Sequence, residues 1–186
     1  MFSRMFGRDR RGNGIAPFLY GVIVAQARTP FLYAGLGVPD SVEGRFEMVV
    51  LHLVLLTRRL KIGGEAGREA GQGAFDLFCR DMDNSLREMG VGDLKVPRRM
   101  REVGEAHFGR AAAYEPGLAS ASADLLTEAV ARTVFAGDSS AGGARMLAAY
   151  SIAAAESLIS QDDRTILEEG PAFPEPATFF VEAGGR

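Results

Sequence analysis

The segment from Leu36 to Leu60, LGVPDSVEGRFEMVVLHLVLLTRRL, most tightly limits what this chain can fold into. Asp40 or Ser41 offers an N-cap, and the residues from there to about Ile62 read as one long helix. At 100° per residue, Val42, Phe46, Val49, Val50, Leu53, Leu56 and Leu60 fall in one stripe. Met48, Leu51 and Leu55 fall on the opposite side, together with Gly44, whose missing side chain holds no neighbour away. A helix apolar on both sides is buried between layers. Either this chain's own helices cover the second side, or part of it is a groove for a partner's apolar helix. Met48, Leu51 and Leu55 are therefore candidate partner-binding residues. Glu43 and Glu47 stand on a polar edge between the stripes, where they repel each other, and Arg58 and Lys61 continue the row.

The rest of the chain carries helix punctuation and almost no strand signal. Pro17 suits the first turn of a helix reaching about Arg28, and Pro30 opens a short turn ending at Gly35 or Gly37. Gly63 to Gly73 reads as a glycine-rich loop. A helix from about Ala74 to Met89 ends at Gly90, a favourable residue just past a helix end. Pro97 opens the next, to about Tyr114, and Pro116 and Gly117 break it. Helices over about 118–136 and 143–160 follow, separated by residues 137–142. The expected fold is all-α: a single-domain bundle of about six to seven helices around a central helix over about 41–62. Residues 1–14 read as a basic arm, 15–160 as the helical domain, and 161–186 as an acidic, partly irregular arm that Phe173, Phe179 and Phe180 dock.

Few residues are suited to catalysis or metal binding. Phe75, Phe78, Cys79, Met82, Leu86 and Met89 form a buried stripe, and Asp76, Arg80, Asp83 and Arg87 an exposed row of alternating sign. Such a row stabilises a helix or reads a partner, which makes Asp83 and Arg87 candidate contacts. Asp81 and Asp83, two apart on a helix, point away from each other and cannot share an ion. The single cysteine leaves no internal disulfide. His107 lies in the stripe of Met100, Val103, Ala111 and Tyr114 and reads as a core imidazole bonded to a neighbour, while His52 sits at the rim of the long helix's main stripe. A haem or small-molecule pocket around His107 and Tyr114 is the alternative reading, and no C-x-x-C-H attachment accompanies it. No G-x-S-x-G elbow, P-loop or dinucleotide fingerprint is present. The expectation is a non-enzyme without metal or cofactor.

The net charge of −3 does not suit DNA binding, yet charge is uneven along the chain. Lys95, Arg98, Arg99 and Arg101 make a basic run suited to anionic lipid headgroups or ribosomal RNA. The residues from Glu156 onward are acidic. Arginines followed by Ile15 to Ala25 imitate a secretory signal, but Pro17, Tyr20 and Gly21 interrupt the run. No stretch reads as the ~20 apolar residues that cross a bilayer, so a soluble or peripheral protein is expected.

Four segments carry a resemblance: FLYGVIVAQAR (Phe18 to Arg28), Leu36 to Leu60, DMDNSLREMGVGDLKVPRRM (Asp81 to Met100) and AHFGRAAAY (Ala106 to Tyr114). Together the chain resembles the ubiquinol–cytochrome c chaperone family of respiratory complex III assembly factors, in a bacterial-type member. The resemblance implies a chaperone without catalytic residues that binds newly made cytochrome b. It implies the cytoplasm at the inner-membrane surface, or the mitochondrial matrix face in a eukaryote. A small partner subunit and a ribosome contact accompany mitochondrial members. Met48, Leu51, Leu55, Glu43, Glu47, Asp83 and Arg87 would then face the client, and Lys95, Arg98, Arg99 and Arg101 the membrane or ribosome.

Overall fold

A computed structural model of the chain describes residues 14–138 and 142–180. Most of the basic arm, the middle of the 137–142 connection and the last six residues of the acidic arm lie outside them. Among the described residues there are eight α-helices and a 3-10 turn: α1 (Ile15–Ala27), α2 (Pro30–Ala34), α3 (Val42–Leu60), α4 (Gly64–Glu88), α5 (Val96–Ser120), α6 (Ala123–Val134), α7 (Gly142–Ser160), α8 (Asp163–Glu168) and the turn Pro176–Phe179. The expected all-α bundle is the fold.

Helix α3 is its axis. The Ser41 hydroxyl accepts from the Gly44 N–H at 3.1 Å, the N-cap that the sequence signals. Every residue from Glu47 to Leu56 is buried, because α1, α4, α5, α6 and α7 all pack against this helix. Gly44 lies so close to the Pro39 carbonyl that a methyl group there would collide with it. Val42, placed in the main stripe by periodicity, stands in solvent at the helix start.

The glycine-rich loop is the first part of α4, which runs unbroken from Gly64. Its inner face is Gly67, Ala70, Gly71, Ala74 and Phe78, a helical spacing. A Cβ on Gly67 would stand 2.7 Å from the Leu60 carbonyl oxygen, and one on Gly71 would stand 3.5 Å from Leu60 Cβ. Gly67 thus lets two backbones meet, and that packing offsets its cost of about 1 kcal/mol against alanine in a helix, whereas a methyl at 71 would make an ordinary contact. The far end of α4 closes as expected: Gly90 takes φ +81°, its N–H reaching the Arg87 carbonyl at 2.9 Å and the Val91 N–H the Leu86 carbonyl at 3.0 Å.

Pro116 does not break α5. The ring removes one backbone donor but sits on the exposed side, and the Ser120 hydroxyl donates to the Pro116 carbonyl at 2.7 Å. Gly117 continues the helix because α6 lies against it: a Cβ there would stand 2.8 Å from the Leu126 backbone nitrogen. The turn to α6 comes at Ala121, with φ +50°, and Ser122 caps α6 by accepting from the Leu125 N–H at 3.4 Å.

The acidic arm is more ordered than expected. Asp162 caps α8 by accepting from the Thr165 N–H at 2.8 Å, and Ile166 is fully buried. The Gln161 amide then holds Ala172 from both sides, donating to its carbonyl and accepting from its N–H, each at 2.8 Å. Phe173 meets His52 edge-on at 5.3 Å and Phe179 meets Tyr150 at 5.8 Å.

Among the described residues one stretch, Ile15–Ala34, is long and apolar enough to cross a membrane by length and composition, where none is expected from the sequence. It divides into α1 and α2 at Arg28 to Pro30, and Leu19, Ile23, Ala27 and Leu32 all point into the core.

Candidate functional site

The candidate partner residues of α3 do not form a surface. Met48 and Leu51 are completely buried and Leu55 is 1% exposed, so of the two readings of that face it is cover by this chain's own helices that the structure shows. Glu47 is buried as well. Its carboxylate receives a two-pronged contact from Arg110 of α5, Nη2 to Oε1 at 2.6 Å and Nε to Oε2 at 3.1 Å. It is a tie between helices rather than part of a repelling acidic edge. Glu43 is exposed in the first turn of α3. On α4, Asp83 is bound by Arg87 at 2.7 Å, and Arg87 also reaches Asp93 in the following turn. Asp81 instead accepts from the Tyr20 hydroxyl at 2.7 Å, so the two neighbouring carboxylates serve different partners.

Lys95, Arg98, Arg99 and Arg101 are all exposed at the start of α5. Arg98 and Arg99 share Glu102, at 3.3 and 2.8 Å. Beside them Leu94 is 97% exposed and Met89 is 61% exposed. Met89 was expected in the buried stripe of α4, but it lies at the helix end, beyond the neighbouring helices.

An open cavity of about 850 Å³ lies elsewhere, where α3, α4 and α5 diverge. The C-terminal turns of α3 supply Val54, Thr57, Arg58 and Leu60, with Lys61 and Ile62 just beyond. Helix α4 supplies Arg68, Gly71, Gln72 and Phe75, α5 supplies His107, Phe108, Ala111, Ala112 and Glu115, and α7 supplies Ile159. Gly71, Ala111 and Ala112 carry too little side chain to fill the space between helix axes, which leaves it hollow. Its rim is unusual. Ile62 is 70%, Phe108 65% and Ile159 53% exposed, whereas monomeric surfaces scatter such residues singly. Arg58 is satisfied by Glu115, at 2.9 and 3.3 Å. Lys61 and Arg68 are exposed and have no ion-pair partner among the described residues.

This surface was not among the sequence candidates, although Phe108 and Ile62 offered a signal. Each is a large apolar residue outside the buried stripe of its own segment.

His107 is 5% exposed and stacked among Phe75, Phe78 and Phe108, and its Nδ1 is buried without a hydrogen-bond partner. It is the core imidazole expected here, but without the expected hydrogen bond at Nδ1. Burial, then the nearby Lys61 charge, holds its pKa down to about 4. Tyr114, one half of the alternative pocket, does not line the cavity. Its hydroxyl lies 2.7 Å from Thr133 Oγ1, and Thr133 donates in turn to the Ala129 carbonyl at 3.1 Å.

His52 is the better-satisfied imidazole, and it is buried rather than at a rim. The Gln26 amide donates to the Tyr150 hydroxyl at 3.0 Å, that hydroxyl donates to His52 Nε2 at 2.7 Å, and His52 Nδ1–H donates to the Met48 carbonyl at 2.7 Å. The relay joins α1, α7 and α3 and fixes a neutral imidazole, with burial holding its pKa down to about 4. Unfolding returns both histidines to their ordinary value near 6.5, so between pH 6.5 and 4 the unfolded chain binds more protons. Stability is therefore fully present above pH 6.5 and falls as pH drops through that window. Urea midpoints at pH 7.5, 6.5 and 5.5 will fall in order, and His52→Asn will shallow the slope. A midpoint independent of pH over that range would contradict buried neutral imidazoles.

A family model described as ubiquinol–cytochrome c chaperone matches residues 34–173. The crystal structure of the Cbp3 homolog from Brucella abortus superposes with a TM-score of 0.82 at 32% sequence identity, covering 95% of this chain and 98% of that one. Among curated proteins, none matches. The matched residues take in all of α3 to α8, and with them the cavity and the basic corner. The chain belongs to the ubiquinol–cytochrome c chaperone family.

Proposed function

We propose that the chain acts without catalysis, binding newly made cytochrome b and covering its apolar surface until the subunit enters complex III. Family membership supports a role as an assembly chaperone of that complex. The observation favouring an apolar client is the open cavity, with Ile62, Phe108 and Ile159 standing in solvent around it. Covering such side chains stabilises a complex by about 25 cal/mol per Å² of apolar area removed from water. Tagged chain isolated from cells pulse-labelled during cytochrome b synthesis will carry labelled cytochrome b ahead of later subunits. A gene deletion that leaves cytochrome b levels and complex III activity intact would remove this reading.

The basic corner fits a peripheral position on the cytoplasmic face of the inner membrane. Leu94 and Met89 provide apolar contact, and Lys95, Arg98, Arg99 and Arg101, less the charge of Glu102 that two of them share, contribute about 1 kcal/mol per net positive charge beside an anionic bilayer. Sedimentation with phosphatidylglycerol vesicles, but not with phosphatidylcholine vesicles, is the expected result. Charge reversal at Arg98, Arg99 and Arg101 should abolish it.

A further inference from the structure

We infer that the cavity between α3, α4 and α5 receives an apolar polypeptide segment carrying a carboxylate at the end that lies beside Lys61 and Arg68. This deepens the client reading above and rests on it. The floor supplies the apolar half of the recognition: Val54, Leu60, Phe75 and Ala111, with an aromatic wall of His107 and Phe108. His107 adds no charge near neutral pH, and its buried Nδ1 is already without a partner. The apolar character of this wall comes from the rings of Phe75 and Phe108 stacked on His107.

Size separates a polypeptide from a small ligand. A compact molecule on the floor would leave Ile62, Phe108 and Ile159, on three different segments around the opening, still in water. A segment lying along the opening covers them together. Shape separates a polypeptide from a bilayer, because a membrane surface meets protrusions and does not fill a hollow of about 850 Å³.

Charge sets the polarity of the occupant. Arg58 and Glu115 neutralise each other across the hollow, and Arg59 is committed to Asp163. Lys61 and Arg68 remain as two uncompensated cations on the rim. A carboxylate brought there would gain two attractive partners, whereas a lysine would meet two like charges.

Two fluorescent helical peptides test this on the purified full chain. They share an apolar leucine and isoleucine face and differ only in glutamate or lysine at one end. The glutamate peptide should bind about three- to tenfold more tightly at low salt. The double variant Lys61→Glu, Arg68→Glu should reverse that order with an unchanged melting temperature, since both residues are exposed. Phe108→Ser should weaken both peptides alike. Equal affinity for the two peptides, or an order that survives the charge reversal, would overturn the proposal. So would phosphatidylglycerol vesicles binding through Lys61 and Arg68 while neither peptide binds. The assay contains no cytochrome b, so its failure is separable from failure of the client reading.

Discussion

Leu51→Ala will destabilise the chain by about 3–4 kcal/mol, lowering its melting temperature by roughly 6–16 °C. Leu51 is fully buried at the centre of α3, with the neighbouring residues from Glu47 to Leu56 buried around it. Truncation removes its transfer free energy and leaves a void that five surrounding helices cannot all close. The direction of the effect separates two accounts of the second apolar face. A client-facing leucine would lose affinity at little cost in stability, whereas a core leucine loses stability first. Calorimetry alongside a client-binding assay distinguishes the two. A variant of unchanged stability and lost binding would place the client on α3.

Arg59→Met will cost about 2–4 kcal/mol and will loosen the C-terminal arm before the rest of the bundle. The Arg59 side chain is 7% exposed, and its guanidinium donates to the Leu158 carbonyl at 2.9 Å and the Gln161 carbonyl at 2.6 Å. Its Nη1 lies 2.7 Å from Asp163 Oδ1. One side chain thus closes the last turn of α7, the linker and the start of α8. Lysine will not restore the stability, because one ammonium cannot reproduce the planar fork that donates to two carbonyls while standing beside the Asp163 carboxylate. Hydrogen exchange resolved along the chain should show faster exchange over residues 158–170 in the variant. Exchange no faster there than in α3 would contradict this role.

The parts of the fold legible in the sequence are those set by local chemistry. Ser41 caps α3 and Gly90 ends α4 because each needs only its own helix end to explain it. The start of α4 was hidden because glycine is locally a helix breaker. Gly67 becomes favourable only when the Leu60 carbonyl of another helix lies against it. Pro116 misled in the same way, since α6 supports the residue after it. Glu47 looked like a surface acid, and its partner Arg110 lies 63 residues away in sequence. Two apolar faces on α3 allowed a groove or a core helix, and what covers the second face depends on the positions of the other helices. The cavity is still harder to read, because three diverging helices make it from small residues that carry no individual signal.

The most direct test of the account uses a leucine-sized diazirine amino acid, placed singly at Phe108, Ile159 or Leu51 in cells translating cytochrome b. Irradiation should join cytochrome b to the chain from positions 108 and 159 and not from position 51. Adducts from position 51, or none from the two cavity positions, would contradict it.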